Sequence, residues 1–180
     1  MDLQAALLTR RTVQRFTAEA VPDEVLERAF LAAHHAPCHR LTWPWRFNRL
    51  GPQGKEVLVR VAIAMKAKNM DCPPERVEGP VRSKLGSADT LVLVSQVLAS
   101  DPHMQQEDYA ATSCAVQNLM LSLHADGFGS KWSTGGFSES AEAYSLCGID
   151  PGVERIVGCV LVGRPVELPK VPPRPELAAV

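Results

Sequence analysis

The apolar positions of the chain keep two rhythms, and the changes between them mark out its elements. Leu3, Ala6, Leu7 and Leu8 keep helical spacing behind Asp2, a residue suited to cap a short helix that ends at Arg10-Arg11-Thr12. Behind Pro22 the spacing returns in Val25, Leu26, Ala29, Phe30 and Ala33. Asp23 and Glu24 sit in that first turn, where carboxylates favour the helix dipole, and Pro37 stops the run. Trp45 to Leu50 reads as a first strand, and Gly51-Pro52 opens a helix through Val57, Val59, Val61 and Met65. The polar, proline-containing stretch from Asn69 to Ser87 is expected to hold a short helix and the most mobile loop.

In Thr90 to Val97 the unbroken run Leu91, Val92, Leu93, Val94 predicts a strand covered on both faces. A long helix from about Gln105 to Ala125 carries Ala110, Cys114, Gln117 and Leu121, and Gly127 ends it. Phe128 to Trp132 predicts a third strand, Glu139 to Cys147 a short helix, and Ile156 to Val162 a fourth strand. From Arg164 onward the chain is rich in proline yet too apolar at Val166, Leu168 and Val171 to suit a free tail; such a segment lies extended on a surface, its own or a partner's. Strands separated by helices, with helices leading, give an α+β or α/β sandwich.

At 180 residues the chain has room for one well-buried core, so a single domain is expected. Its 46% apolar and 22% charged residues suit an ordinary globular protein, and a net charge of -1 provides no field to hold nucleic acid. The start, Met1-Asp2-Leu3-Gln4, lacks an export signal, and no apolar run is long enough to span a bilayer, so no membrane partner and a cytoplasmic location are expected. The five cysteines are scattered without CxxC spacing and read as reduced thiols.

Several chemistries are excluded by pattern. The glycines at 127, 129, 135 and 136 do not space into GxGxxG, no GxxxxGK[ST] or HExxH occurs, and Gly136-Phe137-Ser138-Glu139-Ser140 misses the GxSxG elbow. A reaction whose hard chemistry belongs to a bound cofactor fits such a chain. Arg10, Arg11 and Arg15, with Thr12, put forked donors at a helix exit where they suit a phosphate, unless they form a solvated basic turn. His34-His35-Ala36-Pro37-Cys38-His39 gathers imidazoles and a thiol, but Pro37 breaks the helix that would align His35 with His39, which leaves a polar pocket lining as the blander reading against a metal site. Trp45 and Phe47 read as core, whereas Trp43, outside the strand register, is free to face a ligand.

The order of these motifs resembles the nitroreductase family. The resemblance rests on Arg10-Arg11-Thr12 with Arg15-Phe16, on Val21-Pro22, on Ala36-Pro37 followed by Pro44-Trp45-Arg46-Phe47, and on Gln117-Asn118-Leu119. It continues through Asp126-Gly127-Phe128-Gly129, Trp132, Ile156-Val157-Gly158, Gly163-Arg164-Pro165 and Arg174-Pro175. It spans essentially the whole chain and is closest to the short, single-domain branch.

The resemblance implies an α+β three-layer sandwich with a mostly antiparallel sheet between helices. Residues 1–180 would form one FMN-binding domain, with 164–180 as an extended tail crossing to the partner of a homodimer. It assigns Arg10, Arg11 and Thr12 to the FMN phosphate and ribityl chain, together with Arg174 from the tail. His35, Pro37, Cys38 and His39 would lie against the flavin, often across the dimer interface; Trp132, Ser133, Thr134 and Gly135 would approach the isoalloxazine edge; and Trp43 would line the substrate pocket. The implied activity passes two electrons from NADH or NADPH to a nitroaromatic, quinone or similar organic acceptor in a ping-pong cycle, with no side-chain nucleophile. The loop Cys38-His39-Arg40-Leu41-Thr42-Trp43 departs from the family's Ser, Asn and Gln, so His39, Arg40 or backbone N–H groups are expected to replace their hydrogen bonds. That departure leaves open an FMN-binding protein without nicotinamide turnover, a carrier, sensor or flavin-degrading oxygenase. A thiol or metal protein built on the histidines and Cys38 is the outsider.

Overall fold

The computed structural model describes residues 1–176. Its elements run α1 (Leu3–Thr9), α2 (Asp23–His34), β1 (Trp45–Leu50), α3 (Pro52–Asn69), α4 (Pro74–Gly86), β2 (Thr90–Val97), α5 (Pro102–Ala125), β3 (Gly129–Ser133), α6 (Ala141–Cys147) and β4 (Glu154–Gly163), with short 3₁₀ turns at His39–Leu41 and Gly136–Glu139. The four strands form one sheet in the order β1-β2-β4-β3, antiparallel throughout.

The alternation of the central strands builds three layers. Val92, Val94, Val160 and Val162 face α2 and α5, while Leu91, Leu93, Cys159 and Leu161 face α3, α4 and α6. Because β2 and β4 are covered on both sides, they read as continuous apolar runs. The pairing of β2 with β4 slips between Val94 and Ser95, opposite the extra residue Val157. Gly158 follows with φ 148°, and a Cβ there would meet the Trp132 indole and come 2.8 Å from the Ser133 carbonyl. Glycine is required at that bulge both by conformation and by space.

The caps follow the expected chemistry. The Ala5 N–H donates to Asp2 Oδ1 at 2.8 Å to open α1, and Gly148 at φ 63° closes α6. Three boundaries differ from expectation. The stretch 69–87 forms the thirteen-residue α4, because Val77, Val81 and Leu85 make a buried stripe against α3 despite Pro80 inside the helix. Helix α5 begins earlier, at Pro102, where Asp101 accepts the His103 N–H at 3.0 Å. The predicted 139–147 helix divides into a 3₁₀ turn and α6, because Ser140 stays extended and caps the Ala143 N–H at 3.1 Å.

Past β4 the chain is pinned to the segment after α1 by Thr17 N to Arg164 O at 2.8 Å and Val166 N to Arg15 O at 3.2 Å. It then leaves regular structure with Val166, Leu168 and Val171 exposed. None of the described helices is long and apolar enough to cross a membrane.

Candidate functional site

The first group of predicted residues gathers where α1 ends beside the C-terminus of α5. Arg11 donates to the Arg10 carbonyl and, at 2.8 Å, to the Leu8 carbonyl, so it serves the terminal carbonyls of α1, while its buried Nε has no partner. Arg10 is half-buried. Burial first, then the guanidiniums of Arg11 and Arg174, pull its pKa below the ordinary arginine value. His124, in the last turn of α5, places Nε2 2.9 Å from Thr9 Oγ1, and burial followed by Arg10 and Arg11 lowers its pKa. Thr9 already donates to the Ala5 carbonyl at 2.6 Å, so the imidazole N–H is the donor in that contact. Among the described residues, no carboxylate lies within ion-pair distance of Arg10, Arg11 or Arg174. Arg11 and Arg174 border a cavity of about 590 Å³ with Leu7, Leu8 and Pro172. Cations held together against their repulsion, with no internal anion, suit a phosphate from outside.

From that cluster the chain runs alongside the sheet edge. Thr12, itself exposed, bridges Ser130 of the edge strand β3, and the Val13 N–H donates to the Ser130 carbonyl at 3.0 Å. Side chains of β3 alternate. Trp132 packs into the α2/α5 core with its buried Nε1 unpaired, while Ser133 faces the α3/α4 layer. There Ser133, Gly135 and Gly136 border a cavity of about 270 Å³ with Met65, Lys66, Asn69, Lys84 and Phe137, and its lining contains no carboxylate. Thr134 is exposed at the rim beyond the strand. Phosphate-type cluster and cavity thus occupy the two ends of β3, about 14 Å apart at ~3.4 Å per residue.

The second group lies elsewhere. His35 ends α2, and after Pro37 the loop turns through three non-glycine residues with positive φ, Arg40 (54°), Leu41 (54°) and Trp43 (42°). Cys38 accepts the Trp43 N–H at 3.1 Å and lies 3.2 Å from Thr42 Oγ1, which donates to the buried Asp108 carboxylate at 2.6 Å. With the Thr42 hydrogen committed to Asp108, the Thr42 oxygen is left as an acceptor facing the thiol, whose other acceptor is the His39 carbonyl at 3.8 Å. His39 faces Glu107 at 3.8 Å, His34 Nδ1 accepts the Trp45 indole N–H at 3.3 Å, and Trp43 stays 46% exposed beside Phe30 and Phe47 in a shallow cleft. Among the described residues, no three His, Cys, Asp or Glu side chains converge as a metal would require.

Within one chain these groups sit at opposite ends of α5. Asp108, which holds the 38–43 loop, is about 24 Å from His124 at ~1.5 Å rise per residue. Four relevant side chains escaped the sequence reading: His124, Gln14, Lys84 and Lys131. Lys131 is only 8% exposed and donates to Gln14 Oε1 at 2.9 Å. Its one sequence signal is a lysine inside a five-residue strand.

The three-layer antiparallel sandwich is a nitroreductase-like fold. The model of the nitroreductase family matches residues 7–164. The chain is 30% identical over 174 residues to YfhC of Bacillus subtilis, provisionally named an NAD(P)H nitroreductase, covering 96% of this chain and 89% of that protein. In fold it superposes on a nitroreductase-like family protein from Bacillus cereus with TM-score 0.84 at 23% identity, covering 98% of this chain and 92% of the other. It also superposes on a nitroreductase-type protein of Desulfovibrio desulfuricans solved with FMN, with TM-score 0.76 at 22% identity and coverage of 97% and 92%. The chain belongs to the nitroreductase family.

Proposed function

We propose that the protein is an FMN-dependent oxidoreductase that takes two electrons from NADH or NADPH and passes them to a nitroaromatic, quinone or similar organic acceptor in a ping-pong cycle. The observation that carries this reading is the meeting of Arg10, Arg11 and Arg174 without a carboxylate, at one end of an edge strand whose other end borders a cavity. One terminal phosphate, one short chain and one ring suit that layout, and no fingerprint for an adenylate half accompanies it. The Desulfovibrio neighbour's FMN and the nicotinamide in the name of YfhC support the same reading.

Bound FMN supplies the hydride uptake and delivery. Arg10, Arg11, Thr12 and Arg174 would hold its phosphate and ribityl chain, and the backbone of Ser133 to Gly136 would border its ring. His35, Pro37, Cys38, His39 and Trp43 lie too far from the Arg10 cluster in one chain to close the same site, which supports a homodimer in which a partner subunit brings that loop across. The exposed tail residues Val166, Leu168 and Val171 support the crossing of 164–180.

Anaerobic mixing of the purified protein with NADH or NADPH tests the reading: flavin released on denaturation is FMN, the bound flavin bleaches, and initial-rate plots at varied acceptor are parallel. Release of FAD, or no flavin, would sink it. The strained 38–43 loop favours one rival, a flavin-binding protein without nicotinamide turnover, for which FMN is recovered but neither nicotinamide bleaches it.

A further inference from the structure

A lysine acts as a nucleophile when two opposed conditions meet. Its amine must be poorly hydrated, so that the neutral form is populated, and it must still be within reach of a reagent. Of the six lysines, Lys66, Lys68, Lys84 and Lys170 are exposed and stay hydrated. Lys131 is desolvated, and burial, then Lys84 beside it, push its pKa down to about 8; but it is only 8% exposed and bonded to Gln14, which closes it off. Lys55 meets both conditions. It is half-buried, and burial holds its pKa below the ordinary lysine value despite the opposing charge of Asp89. It also opens onto a cavity of about 470 Å³ where β1 ends and α3 and β2 begin, shared with Arg49, Pro52, Asp89 and Thr90.

The contacts of Lys55 leave its nitrogen able to react. Its hydrogen-bond acceptor is the Ala88 carbonyl, which a neutral amine satisfies as well as an ammonium does. A carboxylate in that place would fix the proton, and among the described residues none lies within ion-pair distance. Asp89, on the same wall, is turned to other donors: its Oδ2 accepts the Val21 N–H at 3.0 Å and the Thr90 hydroxyl at 2.9 Å. The second cation on the lining, Arg49, gives one N–H to Asp23 at 2.6 Å and keeps the rest of its fork. A partly neutral amine beside a guanidinium suits a small electrophile that carries a negative charge. An acyl phosphate has both parts, a phosphate that a guanidinium recognises and a carbonyl carbon that an amine attacks.

We propose that Lys55 is a modification site for small acyl phosphates, with Arg49 receiving the phosphate. The Lys55 Nζ lone pair forms a C–N bond to the acyl carbon and the C–O bond to phosphate breaks. Phosphate leaves with that electron pair, and the surplus proton on nitrogen passes to water. The product is a neutral secondary amide whose remaining N–H still serves the Ala88 carbonyl while the acyl group enters the cavity. The fold keeps the bond that ties α3 to the junction of α4 and β2, and loses one positive charge. This site lies at β1, the sheet edge opposite β3, and does not depend on the FMN reading.

Incubation of the purified protein with acetyl phosphate, followed over time by peptide mass spectrometry, tests the proposal. At neutral pH Lys55 should be acetylated several-fold faster than Lys66, Lys68, Lys84 or Lys170. Its lead should shrink as the pH approaches the ordinary lysine value of 10.5, where the exposed amines lose their protons too. Arg49→Met should slow the labelling of Lys55 by acetyl phosphate several-fold and leave its labelling by acetic anhydride, which has no phosphate, unchanged. The Arg49 pair with Asp23 is exposed and contributes little to folding, so that variant remains readable. Lys55 labelled no faster than the exposed lysines overturns the proposal, as does an Arg49→Met variant that slows both reagents alike or neither.

Discussion

At the N-terminal end of α5 the polar groups find hydrogen-bonding or facing partners within the chain. His39 and His103 both face Glu107, Thr42 donates into Asp108, and Arg155 donates to Gln96 Oε1 at 2.9 Å while lying over the Tyr109 ring. At the C-terminal end Arg10, Arg11, Arg174 and His124 crowd together, and burial first, then the neighbouring guanidiniums, lower the proton affinity of Arg10 and His124. One helix thus carries at one end polar groups that satisfy each other and hold a loop in shape. At its other end it carries groups that repel until something anionic arrives. Charge count alone distinguishes neither; the presence of an internal partner does.

The sharpest way to break that contrast is to remove the tail. Truncation after Pro165 takes away Arg174 and the exposed Val166, Leu168 and Val171, each able to contribute about 1.5–3 kcal/mol if fully covered by a partner subunit. Sedimentation should show a monomer with little flavin; a truncated dimer with full flavin would contradict the crossing. Next in size, Arg10→Ala should weaken FMN binding by roughly ten- to a hundredfold, since a charge-assisted bond contributes about 1.5–3 kcal/mol. Arg11→Ala should weaken it less and lower the melting temperature more, because two of its donors already serve α1. Fluorescence titration checks the order, and equal affinities for parent and both variants would return the cluster to a solvated turn.

At the matched end, Thr42→Val should cost about 1–3 kcal/mol in urea unfolding, because the buried Asp108 carboxylate loses its donor. Flavin affinity in the isolated Arg10 cluster should not explain that loss. The smallest effect is in pH. With its pKa lowered from 6.5, His124 in the fold binds fewer protons than in the unfolded chain just below that value. Stability therefore rises with pH through that window and is lost on acidification, and His124→Gln should flatten the slope. A phosphate on Arg10 and Arg11 weakens their effect on the imidazole, so calorimetry near pH 6 should register uptake of a fraction of a proton on FMN binding.

Much of the fold was legible because its signals are local. Asp2 and Pro22 mark helix starts, and the run at 91–94 reads as a doubly covered strand. Helix α4 was harder to read because its stripe of Val77, Val81 and Leu85 is diluted by prolines and charges, and its burial depends on α3 lying alongside. The sheet order and the bulge that requires Gly158 depend on strand partners far apart in sequence, which periodicity does not carry. At the site, the residue types of the arginine cluster were readable, but the diversion of Arg11 onto carbonyls was not. Lys131 was invisible for a related reason: Gly129-Ser130-Lys131-Trp132-Ser133 has no apolar alternation, and only α4 lying nearby sets Lys84 beside it.

Pro80 has no N–H to return to the Arg76 carbonyl one turn back, and α4 packs chiefly on α3. In hydrogen-exchange terms this wall of the cavity is a unit of low opening free energy. Each opening carries Lys84 away from Lys131 and relieves their repulsion. Once Lys131 loses its proton near pH 8 that relief vanishes, so the protection factors of α4 amides should climb with alkalinity while those of β2 and β4 stay level.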